Sequence, residues 1–121
     1  MHNPLTPAGK VVMLRALADR LSGGKVVLYD VQQNTVAELQ LGAPAFEPIN
    51  QKGELRAYSI APEEGANADA VPVLALVSSP EGEPLLRLPV HTSPGEPGIA
   101  LSQSSVELGG QVRLDALVVR W

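Results

Sequence analysis

From Gly23 onward, proline and glycine cut the chain into short runs; the whole sequence has eleven of each in 121 residues. The apolar runs between these breaks recur at roughly ten-residue spacing, the pattern of short strands joined by turns. Only one segment reads as a helix, "TPAGKVVMLRALADRLSGG". Thr6 can cap it, and Pro7 suits the first helical position because its missing N–H would have no partner there. Leu14, Leu17 and Leu21 form a narrow apolar stripe, with Lys10 one turn earlier on the same face. Arg15, Asp19 and Arg20 lie off that stripe. Gly23 and Gly24 stop the helix, which is expected over about residues 7–22.

After Gly24 the period changes towards two. Strands are expected near 25–30, 35–41, 54–61, 71–79, 85–90, 99–107 and 111–120. In 35–41, Ala37, Leu39 and Leu41 fall on one face against Glu38 and Gln40. In 54–61, Leu55, Ala57 and Ser59 alternate with Arg56, Tyr58 and Ile60. "VPVLALVSS" (71–79) is almost wholly apolar, which suggests a strand covered on both faces. In the last strand Val112, Leu114, Ala116 and Val118 are expected to point inward. An α-then-β order with Pro/Gly turns gives the fold class: mainly β, a jelly-roll-like antiparallel β-sandwich with one N-terminal α-helix. Residues 1–6 are expected to be a flexible arm, and 7–121 one domain.

Bulk properties remove several function classes. Net charge is −4, and the nine Lys and Arg are scattered. The only aromatics are Tyr29, Phe46, Tyr58 and Trp121. Nucleic-acid binding needs a positive patch or stacking rings, so it is ranked low. No apolar run approaches the 18 residues of a membrane span, and the N-terminus has no hydrophobic signal core. With no cysteine there are neither disulfides nor thiolate metal sites.

"HTSPGEPGIALSQSS" (91–105) invites a catalytic reading through His91, Thr92 and Ser93. A serine nucleophile needs a base within hydrogen-bond reach, an orienting acid and oxyanion donors. There is no G-x-S-x-G elbow, and neighbours in an extended segment point to opposite sides. A loop feeding a strand is the better reading. Glu63, Glu64 and Asp69 lack calcium-loop spacing and read as a solvated acidic loop. The only histidines are His2 and His91, too few for a histidine metal site. "LSGGK" (21–25) ends a helix where a phosphate loop would start one. No catalytic, metal or cofactor residue is assigned, and no cofactor is expected.

Apolar residues left on second faces are more informative. Val73 or Leu74, Leu117 and Val119 cannot all enter one core with their neighbours. Either the helix covers the extra face, or these residues meet another subunit. The interface candidates are Leu5 on the arm, Leu14, Leu17 and Leu21 on the helix, and Leu74, Leu117 and Val119 on the strands.

The order of pieces is also informative: "LRALADRLSGGKVVLYD", "VAELQLGAPAF", "KGELRAYSIAP" and "LLRLPVHTSPGEPGIALSQSSVELGGQVRLDALVV". Together they resemble a widespread group of small proteins encoded by tailed bacteriophages and prophages. The match runs from about Leu14 nearly to the end. The group commonly has aromatics where this chain has Leu74, Ala75 and Leu76. The resemblance implies a non-enzymatic virion protein, made in the bacterial cytoplasm and placed on the capsid surface. There it would act as a cement or decoration protein, its partners the major capsid protein and further copies of itself as a dimer or trimer. The alternative it leaves open is a tail, baseplate or fibre component that binds a receptor or glycan. A third class, a small hydrolase or ligand-binding sandwich, would need a deep pocket lined with convergent polar groups.

Overall fold

In the computed structural model the residues described are 6–49, 53–58, 60, 71–93, 96–103, 105, 107 and 109–120. Helix α1 runs Pro7–Leu21. The Thr6 hydroxyl caps it by accepting the Gly9 N–H at 3.0 Å. Among the described residues seven strands follow: β1 (Lys25–Tyr29), β2 (Thr35–Gln40), β3 (Glu54–Arg56), β4 (Leu74–Ser78), β5 (Pro84–His91), β6 (Gly98–Leu101) and β7 (Leu114–Arg120). The protein is mainly β with one N-terminal helix, as the sequence pattern implies.

The hydrogen bonding makes one continuous sheet, in the order β2-β1-β4-β5-β6-β7-β3. This differs from the two antiparallel sheets of a jelly roll. One pair, β5 with β6, is parallel, so the sheet is mixed. Parallel neighbours normally need a crossover of a dozen or more residues. Here β5 ends at His91 and β6 begins at Gly98, and the overlap is only Val90↔Ile99 and His91↔Ala100. So short an overlap needs only a short return of the chain.

The sheet must curl. Ala45–Glu47 lines the free side of β3: Phe46 bridges Ala57, Glu47 N–H donates to the Arg56 carbonyl at 2.8 Å, and Tyr58 N–H donates to the Ala45 carbonyl at 2.9 Å. In a flat sheet this segment would lie seven strand spacings, roughly 33 Å, from β2. Ala45 is only five steps along the chain from Gln40, a reach of at most about 18 Å. The two ends of the strand order are therefore close, and the sheet wraps round its inner face. One core results, joining Val36 and Leu39 of β2, Leu28 of β1, Val77 of β4, Ile99 of β6, Leu117 of β7 and Leu55 of β3. Leu14 and Leu21 of α1 enter the same core.

The helix end is held tightly against the sheet at Gly24. A Cβ there would sit 1.9 Å from the Ser78 carbonyl oxygen, so only glycine lets the backbones approach this closely. The Ser22 hydroxyl donates to the Ala18 carbonyl and accepts the Ala45 N–H, tying the helix end to the segment beside β3.

β7 corrects the expected inward set. Val112 and Leu114 are in the inner core cluster as predicted, but Ala116 is only half-buried, and Val118, though fully buried, lies outside that cluster. The register jumps from Leu101↔Leu114 to Ala100↔Ala116, leaving Asp115 as an extra residue, a β-bulge. One extra residue exchanges the faces of everything beyond it. Leu117 and Val119 therefore turn inward and Val118 outward. The Ser102 hydroxyl fixes the bulge, donating to the Asp115 carboxylate at 2.9 Å.

Strand lengths differ too. The expected 54–61 strand is confined to Glu54–Arg56 plus the Ala57 bridge, with Ser59 outside the described residues. The expected 71–79 strand is Leu74–Ser78. Its Ala75 and Val77 are in the core, but Leu74 and Leu76 are only half-buried, so the second face is not closed as the apolar run suggested.

Candidate functional site

His91 is the natural starting point for chemistry, and its ring is already occupied. Nδ1 accepts the Ser93 N–H at 3.1 Å, and Nε2 donates to the Pro97 carbonyl at 2.9 Å. The two partners fix the neutral Nε2–H tautomer, because a carbonyl only accepts and an amide N–H only donates. Neither nitrogen is left for a nucleophile. The ring instead staples the connector between β5 and β6. Gly98 completes the staple: a Cβ there would lie 2.7 Å from the Pro89 carbonyl, and its φ of 114° favours glycine in any case.

Glu54, which the sequence reading passed over, is the one carboxylate buried among the described residues. It lies on β3 opposite Arg120 of β7. Arg120 donates to one carboxylate oxygen through Nε, at 2.8 Å, and through Nη2; the Arg56 guanidinium stands 3.8 Å from the other oxygen. A charge removed from water is tolerable only when paired this way. Its position at the edge pairing of β3 with β7 makes it a fastener of the sheet. An alternating Glu-Leu-Arg against Arg at the chain end was the available signal, and register alone could not be read from it.

An open cleft of about 410 Å³ lies where β6 turns to β7, lined by Ser102, Gln103, Glu107, Gln111 and Arg113. These residues are exposed, and the Ser102 hydroxyl is committed to the bulge. Among the described residues no three His, Asp or Glu side chains gather as metal ligands. Glu63, Glu64, Asp69 and His2 lie outside the described residues. Among the described residues no helix is long and apolar enough to cross a membrane.

The surface that carries information is apolar. Of the interface candidates, Leu14, Leu21, Leu117 and Val119 belong to this chain's own core, which corrects their assignment. The helix covers the inner face for the first two, and the bulge at Asp115 turns in the other two. Leu17 is half-buried and packs against that core. Leu5 lies outside the described residues. Leu74 alone keeps an outward position.

Leu74 is part of a larger outer face. The core takes Val26 and Leu28 of β1, Ala37 and Leu39 of β2 and Ala75 and Val77 of β4. The alternate positions point away: Lys25, Val27 and Tyr29 on β1, Leu74 and Leu76 on β4, Arg87 and Pro89 on β5. Tyr29, Gln33, Leu74, Leu76 and Arg87 line a shallow hollow of about 300 Å³ there. A second exposed apolar patch lies on α1, where Val12 is 65% and Met13 47% exposed. The sequence signal for it was the unbroken run Val11–Leu14, since four consecutive apolar residues cannot all face one side of a helix.

No family model matches the chain, and neither a curated protein nor a solved structure matches it.

Proposed function

We propose that the protein is a non-enzymatic structural component of a bacteriophage virion, a cement or decoration protein that binds the outer capsid lattice. The observation that carries this reading is the exposed apolar face of α1, Val12 and Met13, on a helix whose other side is locked into the core. Apolar side chains held rigidly at a surface lose little conformational entropy on docking, which suits contact with another protein. His91, the base that a catalytic reading would need, is engaged in stapling the connector between β5 and β6. The resemblance in sequence order to small phage-encoded proteins supplies the partner, the major capsid protein. In this reading residues 1–5 add a further contact next to the helix start.

The test is mass spectrometry of purified heads and tails from phage that carry the gene. The reading expects high copy number in heads. It also expects Val12→Glu with Met13→Glu, or deletion of residues 1–5, to weaken head binding while circular dichroism of the isolated protein is unchanged. Recovery only with tails, at a few copies, would overturn the capsid assignment in favour of a tail component.

A further inference from the structure

We propose that the outer face of β2, β1, β4 and β5 is a two-fold interface between two copies of this chain. The inference rests on the strand register and stands independently of the capsid reading.

The register aligns this face in rows. One row crosses the sheet as Glu38, Val27, Leu76, Arg87. The next is Thr35, Tyr29, Leu74, Pro89, and on the other side lies Gln40, Lys25, Ser78, Pro84. The central row is therefore acidic at one end, apolar in the middle and basic at the other end. Val27 is already buried within one copy, whereas Tyr29, Leu74 and Leu76 are only half-buried and stand outside the core cluster. A sheet face left to water normally alternates to polar residues; this one is polar along its margins and at Lys25 and Ser78, but keeps Tyr29, Leu74 and Leu76 in its middle.

Symmetry then selects the occupant. Two sheets packed face to face lie about 10 Å apart with strands roughly aligned. Place the two-fold axis parallel to the strands, between β1 and β4. Each row then faces itself reversed. Arg87 meets the partner's Glu38, Val27 meets the partner's Leu76, and Tyr29 meets the partner's Leu74. An axis across the strands instead sets Arg87 against the partner's Arg87, which like-charge repulsion forbids. Within one copy, Arg87 and Glu38 are three strands, roughly 14 Å, apart across an apolar middle. Glu38 has Lys25 at 3.5 Å, and Arg87 has no ion pair among the described residues. The second copy supplies the missing carboxylate.

Four strands by about five residues give a footprint of roughly 300 Å² per copy, about 600 Å² in total, which is below the size of stable specific interfaces and fits only a transient contact. The dimer should accordingly be a weak, reversible one, with a dissociation constant below about 1 mM.

The experiment is sedimentation equilibrium of the full chain over a concentration series. The wild type is expected to show a monomer–dimer equilibrium. Arg87→Glu sets two acidic groups against each other and should weaken dimerisation roughly ten- to hundred-fold. Glu38→Arg should do the same, and the double exchange Glu38→Arg/Arg87→Glu should restore the dimer. Both positions are exposed, so circular dichroism of each variant should match the wild type. A protein that stays monomeric up to about 1 mM would overturn the proposal. So would a dimer indifferent to Arg87→Glu, or a double exchange that restores nothing.

Discussion

Replacing Leu117 with alanine tests the most consequential local feature of the fold, the bulge at Asp115. Simple alternation from Val112 through Leu114 would put Leu117 outside, where truncation costs at most about 0.5 kcal/mol. The bulge puts it inside at 2% exposure, next to Ile99 in register and within the core. Leu→Ala removes three carbons. At about 0.8 kcal/mol per buried methylene-sized group, the transfer part alone is about 2.4 kcal/mol. The cavity left behind raises this to about 3 kcal/mol or more, within the 2–5 kcal/mol seen for such sites. That is a large share of the 5–15 kcal/mol that typically holds a domain together. Urea unfolding followed by circular dichroism reads it as a fall of roughly 1–3 M in the midpoint. Leu74→Ala, on the outer face, is the internal control and should shift the midpoint far less at protein concentrations low enough to keep the chain monomeric. A Leu117→Ala protein as stable as the wild type would refute the bulge and return β7 to simple alternation.

Two further substitutions probe other joints. Gly24→Ala should cost about 1–3 kcal/mol, because its Cβ falls 1.9 Å from the Ser78 carbonyl and neither backbone can withdraw without disturbing β1 or β4; thermal unfolding checks this. Glu54→Gln keeps the shape but removes the charge that Arg120 and Arg56 face, and should cost about 1–3 kcal/mol, with faster amide exchange along β3 before any other strand.

Much of the architecture was legible because it depends on local signals. Thr6-Pro7 and Gly23-Gly24 bracket the helix almost to the residue, and the alternation through Ala37, Leu39 and Leu41 gives the buried face of β2 correctly. What was not legible depends on pairing between distant segments. The parallel β5·β6 contact leaves no composition signal, since a connection this short works only because the overlap is so small. The bulge at Asp115 is invisible until β6 is laid beside β7, yet it decides whether Leu117 and Val119 are core or surface. Phe46 lies between the expected strands 35–41 and 54–61, and its burial follows from the curl of the sheet. Leu74 was singled out for the right reason, an apolar side chain with no place in the core. Its neighbours in the same face, Tyr29, Leu76 and Arg87, become a group only through the register.

The two halves of the sheet show why that group is distinctive. Around β6, β7 and β3 the outward positions are Gly98, Ala100, Ala116 and Val118, of which Ala100 and Val118 are fully buried within the chain, then Glu54, Arg56 and Arg120 in their ion-paired cluster. Around β1 and β4 they include Tyr29, Leu74 and Leu76, beside Lys25, Ser78 and the already buried Val27. Unlike Val118, which the chain itself buries, Tyr29, Leu74 and Leu76 stay only half-buried in one copy, and the two-fold pairing proposed above would cover them. The helix cannot be the cover, because Leu14 and Leu21 tie it to the inner side. A two-fold pairing through β1 and β4 would therefore leave both helices, with Val12 and Met13, free on the assembled particle. On a repeating lattice two such faces act together: once one helix is docked, the second binds at an effective concentration set by the dimer's geometry, and overall avidity can exceed the single contact by a factor of about 10²–10⁴. Under the proposed function, Arg87→Glu should thus weaken head binding even though Arg87 lies on the sheet face away from the helix, whereas Val12→Glu should weaken head binding and leave the dimer intact.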